Sequence, residues 1–66
     1  MSWEYRVMNR NGDLAIYEVY YGENGRVAGY SENPTNPRGE TLEELRLDCE
    51  LYVKALEKPI LEYVED

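Results

Sequence analysis

Gly39-Glu40-Thr41-Leu42-Glu43-Glu44-Leu45 opens the last third of this 66-residue chain, and its reading decides the fold. Thr41-Leu42-Glu43-Glu44 has the form of a capping box. In that motif the threonine oxygen and the glutamate three residues on satisfy backbone N–H groups orphaned at a helix start. Leu42, Leu45, Cys49, Tyr52, Val53 and Leu56 then recur at helical spacing and predict one apolar stripe. Acidic residues at the start, with Lys54 and Lys58 at the end, complement the helix dipole. Pro59 stops the helix. A helix from Leu42 to about Glu57 would span ~24 Å, enough to cross a small sheet and bury one of its faces. Ile60 to Val64 leaves room for one more strand.

Two hairpin signals precede this segment. Trp3 to Asn9 alternates aromatic or branched residues with polar ones, which is a strand signature. Asn11-Gly12 follows, and both residues tolerate positive φ, as a tight hairpin turn requires. Leu14 to Tyr21 is the second strand, dense in Ile, Val and Tyr. Gly22-Glu23-Asn24-Gly25 repeats the turn chemistry, and Arg26 to Ser31 is a short third strand. Glu32 to Gly39 is the one long loop, kept irregular by Pro34 and Pro37.

The register of the first hairpin sets which side chains share a face. A two-residue turn at Asn11-Gly12 puts Val7 opposite Ile16 and Trp3 opposite Tyr20. One face then holds Trp3, Tyr5, Val7, Leu14, Ile16 and Tyr20, with Glu18 as the misfit. The opposite face carries Met8, Ala15, Tyr17, Val19, Tyr21 and Tyr30. A three-residue loop at Arg10-Asn11-Gly12 would instead group Trp3, Tyr5 and Val7 with Ala15, Tyr17, Val19 and Tyr21. It would leave Met8, Leu14, Ile16 and Tyr20 on the other face. It would also set Glu4 against Glu18 across the hairpin, which is unfavourable. The two-residue turn is preferred.

Composition narrows the function classes. One domain over residues 1–66 is small enough that extra burial, a metal or disulfides would normally support it. Cys49 is the one cysteine and there is no histidine, so neither an internal disulfide nor a zinc site is expected, and no cofactor. No run is long and apolar enough to span a membrane. Met1-Ser2-Trp3-Glu4-Tyr5-Arg6 lacks the basic and apolar regions of a signal peptide, so a cytoplasmic location is expected. The net charge is -7, from 14 acidic and 7 basic residues. That field repels a phosphate backbone, so no direct nucleic-acid binding is expected, and it attracts a basic protein partner. It also keeps a small protein in solution.

Few residues are candidates for chemistry. Cys49 lies on the apolar stripe between Asp48 and Glu50, far from the basic setting a reactive thiolate needs, and reads as a buried structural cysteine. Glu44 and Asp48, four apart on one helical face, are two carboxylates without a third ligand; the plainer reading is a solvated face. Glu18 is a carboxylate in an apolar strand. It reads either as a group of raised pKa or as one paired with Arg6 or facing water. Leu47 and Leu51 lie off the main stripe and read as a second contact surface or as scattered exposed residues. Seven tyrosines and no phenylalanine suit surfaces that are partly buried and partly wet. No phosphate loop, nucleophile elbow or pair of catalytic acids can be assembled.

The stretch Gly39 to Leu56, after a meander from Tyr5 to Tyr30, resembles HicB-type antitoxin domains and their small orphan relatives. The likeness is carried by Gly39-Glu40-Thr41-Leu42-Glu43-Glu44-Leu45 at the helix start. It implies a truncated ribonuclease H-like unit, β-β-β-α-β, without catalytic metal ligands, whose final strand lies parallel beside the first. It also implies a protein that binds and neutralises a small basic toxin.

The expectation is therefore an α+β domain: a four-stranded, mostly antiparallel sheet with one helix on one face. Its function is that of a non-catalytic, HicB-like protein-interaction module. The alternative is a small carboxylate-based metal-binding or enzymatic domain. One helix covers one sheet face only, so the other should meet a second copy. A homodimer or higher oligomer is expected, with Met8, Tyr17, Val19, Tyr21 and Tyr30 at the contact.

Overall fold

Asn11 (φ 56°) and Gly12 (φ 90°) both adopt positive φ and close the first hairpin in two residues, the tight turn whose twist matches that of its strands. The Asn9 side-chain oxygen accepts from the Gly12 amide at 2.8 Å and fastens the turn. In the computed structural model, which describes residues 2–65, this turn joins β1 (Ser2–Arg10) to β2 (Asp13–Tyr21). Met1 and Asp66, the ends of the expected domain, lie outside the described residues. The register runs from Arg10 opposite Asp13 to Ser2 opposite Tyr21, with Val7 opposite Ile16. The two-residue turn is the one that forms.

A second turn leads into β3 (Val27–Tyr30). Gly25 sits at φ +79°, its amide donates to the Gly22 carbonyl at 3.0 Å, and the Gly22 amide donates to the Arg26 carbonyl at 2.8 Å. β3 pairs antiparallel with β2, Val19 against Tyr30 and Tyr20 against Gly29. Ala28 is skipped before Tyr21 meets Val27, a bulge that adds bend to this edge. The helix α1 (Leu42–Ala55) follows, then β4 (Leu61–Glu62), parallel to β1 with Met8 beside Leu61. The sheet order is β3-β2-β1-β4. The β-β-β-α-β layout and the parallel final strand agree with expectation. The last strand is shorter than Ile60–Val64, because only Leu61 and Glu62 pair with β1, the Tyr63 amide adding one bond to the Asn9 carbonyl.

Thr41 caps α1 through its hydroxyl oxygen, which accepts from the Glu44 amide at 3.1 Å. The Glu44 carboxylate reaches back one residue further than in the usual box, accepting from the Glu40 amide at 3.3 Å. Gly39 lies against this first turn. A Cβ there would stand 2.8 Å from the Glu44 carbonyl carbon, so the close approach requires glycine.

The main buried cluster lies on the sheet face away from the helix, while Val7, Tyr52 and Ala55 form a smaller buried set beneath it. Met8 (1% exposed), Tyr17 (2%) and Val19 (0%) fill the face opposite α1, with Ala15, Tyr21, Tyr30, Leu61 and Tyr63 packed around them. This corrects the expectation that the face is left for a second copy. The curled sheet and the segment after β4 cover it within one chain. Tyr63 lies across the concave side, its ring 5.1 Å from that of Tyr17 and 4.6 Å from that of Tyr30. The Arg10 guanidinium sits over the same ring, 4.1 Å from its centroid. Met8, Tyr17 and Val19 therefore present no surface to a partner, and Tyr21 and Tyr30 are half-buried against them.

The helix is also rotated from its expected orientation. Tyr52 and Ala55 are buried and Leu45 and Asp48 half-buried, while Leu42 (71% exposed), Val53 (56%), Leu56 (66%) and Cys49 face outward. On a wheel of about 100° per residue the inward face lies roughly 70° from the apolar stripe. The cause is local. Below the helix lies Tyr5, and its phenol and ring take Asp48 and Tyr52 respectively. Cys49 is thus an exposed cysteine, contrary to the buried structural role expected of it.

Candidate functional site

Tyr5 on β1 and Glu18 on β2 are register partners and point to the helix side of the sheet. Asp48 and Tyr52 come down onto them from α1, four residues apart and hence on one face. The loop after β3 closes the third side with Pro34, Thr35, Asn36 and Arg38. These eight residues line a cleft of about 220 Å³.

The loop is held in place by backbone pairing along the free edge of β2. The Ser31 amide donates to the Glu18 carbonyl at 2.9 Å, and the Thr35 amide to the Ile16 carbonyl at 2.8 Å. The Ser31 hydroxyl accepts from the Glu18 amide at 3.1 Å and donates to the Asn33 carbonyl at 3.0 Å. The two prolines prevent a regular strand, yet the segment still occupies edge groups that would otherwise be open to pairing.

Six polar side chains, bonded in three pairs, organise the site. The Tyr5 hydroxyl donates to Asp48 Oδ1 at 3.0 Å, and the Arg38 amide donates to Asp48 Oδ2 at 2.8 Å. The Tyr52 hydroxyl donates to Thr35 Oγ1 at 2.7 Å. The Tyr5 and Tyr52 rings lie 4.3 Å apart, tilted by 32°. On β2, Tyr20 donates to Glu18 Oε1 at 2.8 Å. Burial first, and the Asp48 carboxylate second, push the Tyr5 phenol well above its ordinary value, so it stays a donor at neutral pH. The Tyr20 phenol is raised chiefly by its hydrogen bond to Glu18. A carboxylate has about four lone-pair sites, so Glu18 and Asp48 retain acceptor capacity toward a guest in the cleft.

The sequence-derived candidates are distributed as follows. Glu18 does not pair with Arg6, which lies on the opposite sheet face. There Arg6 donates to Tyr21 at 2.9 Å and to the Pro59 carbonyl at 2.8 Å, and pairs with Glu4 at 3.4 Å. Lys58 also pairs with Glu4. Glu44 and Asp48 do not converge, because one folds back to the Glu40 amide and the other is held by Tyr5 and Arg38. Among the described residues no group of three or more acidic or cysteine side chains is placed to hold a metal ion. Met8, Tyr17, Val19, Tyr21 and Tyr30 are brought together, but as the chain's own core. The pairing of Asp48 with Tyr5 was missed in the sequence. Its one available signal was the Asp48 and Tyr52 spacing, which places a polar and an aromatic residue on one helical face.

A second feature is an apolar groove between α1 and the start of β1, lined by Trp3, Glu4, Tyr5, Leu51, Lys54, Ala55 and Lys58. No helix among the described residues is long and apolar enough to cross a membrane. No family profile, no curated protein and no solved structure matches this chain.

Proposed function

We propose that this chain is a non-catalytic interaction module that captures a basic protein segment, seating one cationic side chain in the cleft of Tyr5, Glu18, Asp48 and Tyr52. The observation that carries this reading is the composition of the cleft. Two carboxylates from different elements and two tilted phenol rings line one space of about 220 Å³, against a single cationic residue, Arg38, at its wall. Carboxylates with aromatic faces suit a lysine ammonium or an arginine guanidinium, which gains both hydrogen bonds and cation–π attraction. The overall charge of -7 supports the same partner, since it steers a basic surface toward the chain. The HicB-like resemblance belongs to the same class, the basic partner then being a small toxin. The same charge disfavours direct nucleic-acid binding. The alternative of a carboxylate metal or enzymatic site draws less support, because Glu44 and Asp48 serve the helix cap and the loop.

The test is an NMR titration of the protein with a short arginine-rich peptide at low salt. Shifts should concentrate on Tyr5, Glu18, Thr35, Asp48 and Tyr52. Glu18→Gln should weaken binding by about tenfold as one charge-assisted contact is lost. Glu23→Gln, an exposed acid in the β2–β3 turn, should change it little. Equal effects of the two substitutions, or shifts spread evenly over the acidic surface, would mean diffuse attraction and no seat for a side chain.

A further inference from the structure

The rotation of α1 leaves its apolar stripe in solvent. Leu42, Cys49, Val53 and Leu56 are exposed, and Leu45 is half-buried at their border. Leu56 keeps right-handed helical backbone at the C-cap (φ -68°, ψ -17°), so the stripe runs unbroken past the last helical residue. Leu42, Cys49 and Leu56 follow strict seven-residue spacing, the repeat of a helix that packs along another helix.

The order of residues along the stripe is the same in both directions about Cys49. Leu42 and Leu56 stand seven residues to either side, and Leu45 and Val53 stand four to either side. A two-fold axis through Cys49 would set Leu42 against Leu56 of the other copy, Leu45 against Val53, and Cys49 against itself. Self-complementarity of this kind is what an isologous contact demands, and a partner of unrelated sequence does not require it.

The charges beside the stripe fit the same arrangement. Arg46 flanks it, on the same side as Glu50 and Glu57, and pairs with the exposed Glu43 at 3.0 Å. Antiparallel packing places like flanks together, which brings Arg46 of each copy within reach of Glu50 of the other. The area is also adequate for a weak dimer. The exposed area of the stripe residues Leu42, Leu45, Cys49, Val53 and Leu56 is at most on the order of 500 Å² per copy, or ~1,000 Å² in total, at the lower bound for a specific interface.

We propose that two copies of this chain associate through α1, antiparallel, with Cys49 on the two-fold axis. The concave sheet face plays no part, since the chain fills it itself.

Sedimentation velocity across a concentration series tests this, with no peptide ligand present. A dimer should form with a Kd on the order of tens of micromolar, as small interfaces give. Val53→Glu should raise that Kd by about tenfold or more, as an unpaired charge does at a contact centre. Leu47→Lys, an exposed leucine on the opposite side of the helix, should leave it unchanged. Arg46→Glu should weaken the dimer and the added Glu50→Arg should restore it, because the swap preserves cross-pairing. A short bis-maleimide should link Cys49 to Cys49, each thiol adding across one maleimide double bond. Circular dichroism confirms that each variant folds. A monomer at all concentrations overturns the proposal. So does a dimer indifferent to Val53→Glu, or one that the bis-maleimide does not capture.

Discussion

The Tyr30 hydroxyl donates to the Val64 carbonyl at 2.8 Å and accepts from the Val64 amide at the same distance. One side chain on β3 thus replaces a strand for the segment that follows β4. β3 and β4 are the two outer strands of the sheet, so this pair ties one edge to the other across the concave face. Two further contacts span the same gap: Arg10 donates to the Glu32 carbonyl at 3.0 Å, and Tyr63 to the same carbonyl at 3.3 Å. The closure is why Met8, Tyr17 and Val19 are buried in a chain whose one helix lies on the other side.

Tyr30→Phe keeps the ring beside Tyr63 and removes both hydrogen bonds to Val64. The expected loss is about 1–2 kcal/mol, measured by urea denaturation. Amide exchange should quicken at Val64 before it does at Val19. Tyr63→Ala removes the cover itself and should cost about 3–5 kcal/mol, as large aromatic truncations do. A Tyr63→Ala protein as stable as the parent would show that the concave core does not depend on this lid.

Gly39→Ala should destabilise by about 1–3 kcal/mol, the range for forcing an extra methyl into a packed site. The backbone at Gly39 lies against Glu44 and Leu45, and the added carbon can be accommodated only if the helix start moves. Gly29→Ala is the comparison, because a Cβ at Gly29 meets nothing within 4 Å. Equal melting temperatures for the two variants would contradict the close approach.

Much of this architecture was legible in the sequence, for physical reasons that belong to individual residues. Asn11-Gly12 specified its register because few other pairs accept two positive φ angles in succession. Thr41 and Pro59 bounded the helix because a cap and a missing N–H act locally. What was not legible depended on contacts between distant parts. The apolar stripe of α1 is real, but it does not point at the sheet. Tyr5 offers a ring and a hydroxyl, and Asp48 and Tyr52 satisfy both. Hydrogen-bonding side chains therefore chose the inward face against the hydrophobic period. The curl of the sheet was hidden for a similar reason, since it follows from the Ala28 bulge and from Tyr63 and Val64 meeting Tyr30.

At high pH the tyrosines should limit stability. Tyr5 and Tyr21 are raised above the ordinary 10.0 chiefly by burial, and Tyr20 chiefly by its hydrogen bond to Glu18. A group whose folded pKa exceeds its unfolded value keeps its full contribution below the unfolded pKa and loses it as pH rises toward the folded one. Stability should therefore be flat through neutrality with respect to these groups and fall above about pH 10. Spectrophotometric titration should show the phenols of Tyr5, Tyr20 and Tyr21 ionising late, as the protein unfolds. In Tyr5→Phe the alkaline fall should be shallower. An unchanged slope would mean that Tyr5 titrates alike in both states.

At low pH the Glu4 carboxylate contributes in the opposite sense. Its hydrogen bond from Lys58, then that from Tyr21, hold it below the usual carboxylate range. A depressed carboxyl contributes stability above its unfolded pKa and loses it as pH falls through the folded value. The pair is partly exposed to solvent, so the effect is small and screened by salt. Lys58→Met should flatten the acid limb of the stability curve at low ionic strength and leave it unaltered in molar salt. A difference that persists in high salt would point to lost packing of the lysine stem.

Asp48→Asn should separate the two roles of this residue, as helix anchor and as acid in the cleft. Asparagine keeps the shape but offers one oxygen, where the carboxylate accepts from both the Tyr5 hydroxyl and the Arg38 amide. One of those donors must then face an NH₂ group. The hydroxyl can rotate and accept; the Arg38 amide cannot. The asparagine oxygen should therefore turn to Arg38, and the tyrosine bond should lose its charge-assisted character. The expected cost is about 1–2 kcal/mol, with Tyr5→Phe costing a similar amount alone. Because both substitutions act on the same contact, one weakening it and the other removing it, the double variant should fall short of the sum by about 1 kcal/mol or more. Full additivity would mean that the Tyr5 and Asp48 contact contributes nothing to holding α1 on the sheet.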